Sequence, residues 1–170
     1  MDATGRRHEL TMNMARSYEQ LNRALKVLFE PVTPQDRVLV KYMDIGAYDL
    51  CIDDGKEEQH LTKRDNFKWA SIVQHGTTIV MSAVMAHIVD SERHNCPFCD
   101  SWNEVTKDLG RASINCDSCN RPFQITTTQR PRPKRRTKET RITTVADHER
   151  DLIRNIHLEQ FVSIIIGLKT

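Results

Sequence analysis

Two CxxC pairs, Cys96/Cys99 and Cys116/Cys119, stand sixteen residues apart, and no other feature limits the fold of this chain as strongly. Each CxxC turn delivers two thiolates to one side of an ion, and the residues between the pairs form a hairpin that brings the second turn opposite the first. The spacing predicts one structural zinc ion bound by Cys96, Cys99, Cys116 and Cys119. A disulfide pair, an iron–sulfur cluster and free thiols are the competing chemistries. Four of the five cysteines lie in these pairs, which argues for a reducing compartment, and the chain is expected to be intracellular, in nucleus or cytoplasm. The start, MDATGRRHELTMNM, has no apolar secretory core. The apolar stretches Ile79–Val89 and Phe161–Leu168 are too short to cross a bilayer of about 30 Å as helices, so no membrane partner is expected.

Four thiolates complete a tetrahedron and leave no position for water, which separates this pattern from catalytic zinc. A deaminase would need a Glu beside the ligand that precedes its CxxC, and His94-Asn95-Cys96 has none. His94 is therefore read as a neighbour of the site. Asp100 and Asn120 follow the two knuckles and tolerate the left-handed backbone that such turns need. Strands around Trp102–Val105 and Ala112–Asn115, a turn at Asp108–Arg111 and alternating Phe123 and Ile125 predict a β zinc ribbon over residues 94–126. Trp102 and Phe123 are expected to fill its small core.

The net charge of +2 conceals a local run. Arg130, Arg132, Lys134, Arg135, Arg136, Lys138 and Arg141 oppose Glu139 within a basic linker at 127–144, interrupted by Pro131 and Pro133. It reads as a solvated connector, a nuclear localisation signal or a phosphate-contacting arm. Residues 145–170 form a C-terminal amphipathic segment. Leu152, Ile153 and Ile156 suit a helix, and Phe161–Leu168 is rich in β-branched residues. That last stretch must pack on another element, complete a sheet or dimerise, so a homodimer through 161–168 is one expectation.

Ahead of the cysteines, residues 1–16 are polar and read as a disordered terminus. Tyr18, Leu21, Ala24, Leu25, Leu28 and Phe29 recur at helical steps behind a Ser17 N-cap with Gln20 three residues on, and Pro31 and Pro34 are expected to end that helix. Residues 36–45 carry no clear period. Tyr48, Leu50 and Ile52 alternate into an Asp53-Asp54-Gly55 turn, with Cys51 as a small filler on the opposite face. Phe67, Trp69, Ile72 and Val73 precede a Gln74-His75-Gly76 turn and a buried strand over 77–86.

The order of that helix, Gly46-Ala47-Tyr48-Asp49-Leu50, Asp54-Gly55, and Trp69 through Ser82 resembles the second half of ubiquitin-like domains found in many fungal proteins of unassigned function. The resemblance covers residues 17–86. In that family a proline usually stands where this chain has His75, a change that Gly76 makes tolerable. It implies a β-grasp fold that opens with a hairpin, for which residues 1–16 offer no pattern. A truncated domain and a segment such as Val162–Leu168 pairing in place of the hairpin both remain open. The chain ends Gly167-Leu168-Lys169-Thr170 without a diglycine tail, so a binding module is expected rather than a conjugated modifier.

The expected fold class is α+β: a small, partial ubiquitin-like body over 17–90, a β zinc ribbon and a C-terminal helix/strand segment. No paired carboxylates, Ser/His/Asp order or Gly-rich phosphate loop appears, so no enzymatic activity is expected. A zinc-bearing adaptor with an unknown protein partner is the first reading, and a nucleic-acid-binding ribbon that uses the basic run is the alternative.

Overall fold

The computed structural model describes residues 1–53, 58–89, 93–104, 111–131 and 145–164. The Asp54-Gly55 and Asp108–Gly110 turn positions, Arg132–Arg141 and residues 165–168 lie outside them. The chain divides into two compact units, Met1–Ala83 with Asp151–Asn155, and Val84–Arg150 with Ile156–Thr170.

In the first unit, helix α1 spans Tyr18–Leu28, and the Ser17 side chain accepts from the Gln20 amide as the capping pattern requires. Its inner face buries Leu21 and Leu25, with Phe29 buried just beyond it. Pro34 does not help to end this helix; it opens the next. Helix α2 covers Pro34–Asp44, with proline at its start and a reciprocal Thr33/Asp36 capping box. Proline at the first helical position loses an amide that has no partner there in any case. Buried Val38, Leu39, Tyr42 and Met43 recur at helical steps, so residues 36–45 do carry a helical period.

Strand β1, Tyr48–Asp53, pairs antiparallel with β2, Glu58–Leu61, and with β3, Ile79–Val89, in register Leu50↔Leu61 and Leu50↔Met81. Both faces of β1 are covered: Leu50 and Cys51 are buried, and Cys51 is the small filler that its position implies. Between β2 and β3, a 3-10 turn over Lys63–Lys68 leads into the short helix α3, Trp69–Ile72.

Residues 1–16 contain no strand, yet the chain there is ordered, contrary to the expectation of a disordered terminus. Asp2 is buried, and its carboxylate accepts from the Thr4 amide and hydroxyl, the Arg6 amide and the Arg6 Nε, while the His8 ring meets it at 2.7 Å. Arg6 continues the chain to Asp36 of the α2 capping box at 2.7 Å. The polar composition that suggests a tail is used to close this loop on itself, and Ala3 and Ala15 are buried. On β3, the Met81 amide donates to the Met1 carbonyl and the Ala83 amide to the Asn155 carbonyl. Met1 and Asn155 thus hold a β3 edge in this unit, with no hairpin formed by residues 1–16.

The Asp2 network sets a pH response. Burial alone would raise the Asp2 carboxyl, but hydrogen bonds from His8, Thr4 and the Arg6 backbone hold it below the usual aspartate range. The Thr33 hydroxyl does the same for Asp36. A depressed carboxyl gives stability that is present above the unfolded value of about 4 and is lost as pH falls through the folded value. Urea midpoints measured from pH 7 to about 2 are expected to fall below about pH 4, with a shallower fall in Asp2→Asn. Parallel curves for the two proteins would remove Asp2 from the account.

The second unit takes β3 from Val84 onward, a hairpin of β4 (Arg93–Asn95) and β5 (Trp102–Glu104), then β6 (Arg111–Asn115), β7 (Pro122–Pro131), the short helix α4 (Asp147–Arg150) and β8 (Ile156–Ile164). Strand β6 pairs antiparallel with β7, and β7 pairs parallel with β8, in register Ile125↔Leu158. The strand order is β3-β8-β7-β6, with β4-β5 as a separate pair.

Three expectations change here. Strand β7 runs to Pro131, so residues 127–131 belong to the sheet and not to the linker; the threonines at 126–128 favour the extended backbone. The amphipathic helix expected over Leu152–Ile156 is absent: α4 stops at Arg150, and Ile156 and Leu158 are buried as alternate residues of a strand. The backbone of Phe161–Ile164 pairs with residues 128–131, so the strand beside β3 starts at Ile156, not Val162.

Candidate metal centre

The two knuckles repeat one another bond by bond at an offset of twenty residues. In the first, the Cys96 amide donates to the Ser101 carbonyl, the Asp100 amide to the Cys96 carbonyl and the Phe98 amide to Cys96 Sγ; Cys116, Arg121, Asn120 and Ser118 make the same three bonds in the second. Asp100 at φ 58° and Asn120 at φ 55° supply the left-handed residue that closes each turn. Strands β5 and β6 lead away from and toward the knuckles, so the hairpins rather than any core set their spacing.

All four sulfurs lie within 4.8 Å of one another. Cys96 Sγ is 3.7 Å from Cys119 Sγ, and Cys99 Sγ is 3.6 Å from Cys116 Sγ. A disulfide would bring a pair to about 2.0 Å. A tetrahedral thiolate site with metal–sulfur bonds of about 2.3 Å has edges of about 3.8 Å, which these separations match. Cys96 and Cys116 are buried, Cys119 is partly covered and Cys99 is exposed. The residues present therefore fit a four-coordinate metal ion with every position taken by sulfur.

Polar groups around the sulfurs favour the charged form that a metal needs. The Ser101 hydroxyl lowers the Cys99 thiol. At Cys116 burial pushes upward, but the Ser101 hydroxyl and the Cys119 and Ser118 amides bring the thiol down to about 5. Burial pushes Cys96 and Cys119 up. One sulfur from each knuckle, Cys99 and Cys116, is thus shifted toward the charged form.

A second layer ties the knuckles together. Buried Asn103 donates to the Ser101 carbonyl at 3.1 Å and accepts from the Asp117 amide at 3.0 Å. Arg150 grips the Asp100 carboxylate at 2.7 and 3.3 Å, and its carbonyl accepts from Arg121, whose guanidinium lies 5.1 Å from the Phe98 ring centroid. Sequence reasoning missed Ser101, Asn103 and Arg150. A hydroxyl five residues after a cysteine and an arginine fifty residues after Asp100 leave no mark in ligand spacing.

The structure brings together the four expected ligands and leaves His94, buried on β4 opposite Asn103, outside the sulfur cluster. Phe123 is buried as expected, but Trp102 is 62 % exposed. The pattern along β5 explains the difference, because Asn103 takes the inward position and Trp102 and Glu104 face outward. Of the basic run, only the Arg130 backbone is described, paired with Ser163; Arg132, Lys134, Arg135, Arg136, Lys138 and Arg141 lie outside the described residues. No described helix is long and apolar enough to cross a membrane.

No curated protein and no solved structure matches the chain. The family described as Ubiquitin-like domain matches residues 1–87, which extends the resemblance back through the ordered N-terminal segment. That match takes in more than half of the 170 residues, and the chain belongs to the Ubiquitin-like domain family.

Proposed function

We propose that this chain is a non-enzymatic intracellular adaptor that carries, in addition to the ubiquitin-like domain, a ribbon for protein recognition held by one structural zinc ion. The observation that carries the reading is the closed four-sulfur set: a site with no vacant position supports a surface rather than a reaction. Zinc is favoured over iron–sulfur because four thiolates at single-ion tetrahedral spacing leave no room for bridging sulfides.

The ribbon surface favours a protein partner over a phosphate backbone. Among the ribbon side chains whose exposure is described, the exposed charged groups are Asp100, Glu104 and Asp117, with Arg121 half-buried, and Asp100 and Glu104 flank outward-facing Trp102 in sequence. Acidic groups repel phosphate, whereas an exposed aromatic is a common anchor at protein interfaces. The basic run supports the second reading, nucleic-acid binding in the nucleus.

The test has two arms. Metal analysis of the purified protein should give one zinc per chain. Titration with random duplex and single-stranded nucleic acid across salt should give no binding by the zinc-loaded protein. Micromolar binding that falls steeply with salt would transfer the function to the second reading. In pull-downs, Trp102→Ala should lose a partner that wild type retains, with the zinc content unchanged.

A further inference from the structure

We propose that Ser101 is a positioning residue that caps one edge of the metal site and sets how readily zinc leaves it. This inference rests on the four-thiolate zinc reading above. Ser101 Oγ lies 3.0 Å from Cys99 Sγ and 3.2 Å from Cys116 Sγ, and these two sulfurs are themselves 3.6 Å apart. One hydroxyl thus sits over a single edge of the sulfur tetrahedron and touches one thiolate from each knuckle.

That edge includes Cys99, the exposed cysteine of the four. A chelator or competing thiol that reaches the metal from solvent arrives beside it. Ser101 does not wander from this position, because its carbonyl is held by the Cys96 amide at 2.8 Å and by Asn103 Nδ2 at 3.1 Å. The matching position in the second knuckle is Arg121, which has no hydroxyl and donates to the Arg150 carbonyl instead. The two knuckles are alike in backbone and differ at this side chain, so the site has a guarded edge.

A hydroxyl shared between two thiolates does two things. It stabilises negative charge on the sulfur to which it donates, and it stands over the Cys99–Cys116 edge, on the side where exposed Cys99 lets an incoming ligand approach. Groups of this kind around metal ligands typically change metal affinity by about 10–100-fold. Ser101 controls retention of zinc and not its binding geometry.

The test uses the full-length protein loaded with zinc, and separately with cobalt(II), in wild type, Ser101→Ala, Ser101→Thr and the control Ser118→Ala. Zinc transfer to a chromophoric chelator should be about 10-fold faster in Ser101→Ala, with Ser101→Thr and Ser118→Ala close to wild type. The cobalt protein should keep its tetrahedral bands in Ser101→Ala, while the sulfur-to-cobalt charge-transfer band moves to lower energy, since thiolates without the hydrogen bond are richer in electrons. A purely structural role would not move that band. If Ser101→Ala does not bind cobalt tetrahedrally, Ser101→Gly is read in its place. Loss of tetrahedral binding in both would make Ser101 a requirement for forming the site and overturns the inference. Wild-type exchange rates and an unmoved band in Ser101→Ala overturn this inference alone. A wild-type protein that binds neither metal overturns it together with the zinc reading.

Discussion

Removal of the metal, by a strong chelator or by the double substitution Cys116→Ser and Cys119→Ser, is expected to unfold the knuckles and the β4–β5 hairpin outright. The hairpin consists of two three-residue strands, and two strands alone are marginal in water. Its polar ties, Ser101 to the sulfurs, Asn103 to Asp117 and Arg150 to Asp100, need the knuckles to be in place first. Structural zinc contributes an apparent binding free energy of about 10–16 kcal/mol at neutral pH, as much as or more than the whole stability of an ordinary domain. Hydrogen exchange is the direct readout. The amides of Cys96, Asp100, Cys116 and Asn120, which close the two turns, should lose protection entirely on metal removal. Amides of α1, which is buried through Leu21 and Leu25, serve as the internal reference. Persistence of knuckle protection in the metal-free protein would show that the second layer alone suffices, and the metal would lose its structural role.

The metal ligands were legible in the sequence because a knuckle is a local object. Its ligand spacing, its left-handed closing residue and its flanking strands all lie within a few positions, so Asp100 and Asn120 are placed beside Cys99 and Cys119 by the sequence alone. The same holds for α1, whose cap and apolar stripe are contiguous. What the sequence concealed is non-local. The Asp2 loop looks like a solvated tail until its hydrogen bonds are followed to Arg6, His8 and, through Arg6, Asp36. Residues 127–131 look like the start of a linker because their partners on β8 come thirty-three residues later. The size of Trp102 suggests an inward position, yet strand alternation puts Asn103 inward, and only the bonds to Ser101 and Asp117 explain why an amide takes a buried position. The α2 capping box was within reach of sequence reading. Thr33-Pro34-Gln35-Asp36 carries the cap, the first-turn proline and the reciprocal acid, and Pro34 starts a helix rather than breaking one.

Replacement of Trp69 should produce the largest loss in the ubiquitin-like unit, and it tests the claim that the N-terminal segment is part of that unit. The indole is 3 % exposed, its Nε1 donates to the Ala15 carbonyl at 2.7 Å, and its ring meets Tyr18 edge-on at 6.2 Å. Trp69→Ala removes the buried ring and is expected to cost about 3–5 kcal/mol, most of the stability of a small domain. Trp69→Phe separates the two contributions, because it keeps most of the apolar ring but leaves the Ala15 carbonyl without this donor. A buried carbonyl stripped of its partner costs about 1–3 kcal/mol, so Trp69→Phe should fall between wild type and Trp69→Ala in urea midpoint. The phenylalanine variant should also show faster amide exchange at Ala15, whose amide donates to the Met12 carbonyl in the turn that carries the chain into α1. Equal midpoints for wild type and Trp69→Phe, with Ala15 exchange unchanged, would mean that the bond to Ala15 contributes nothing and that residues 1–16 keep their order through the Asp2 network alone.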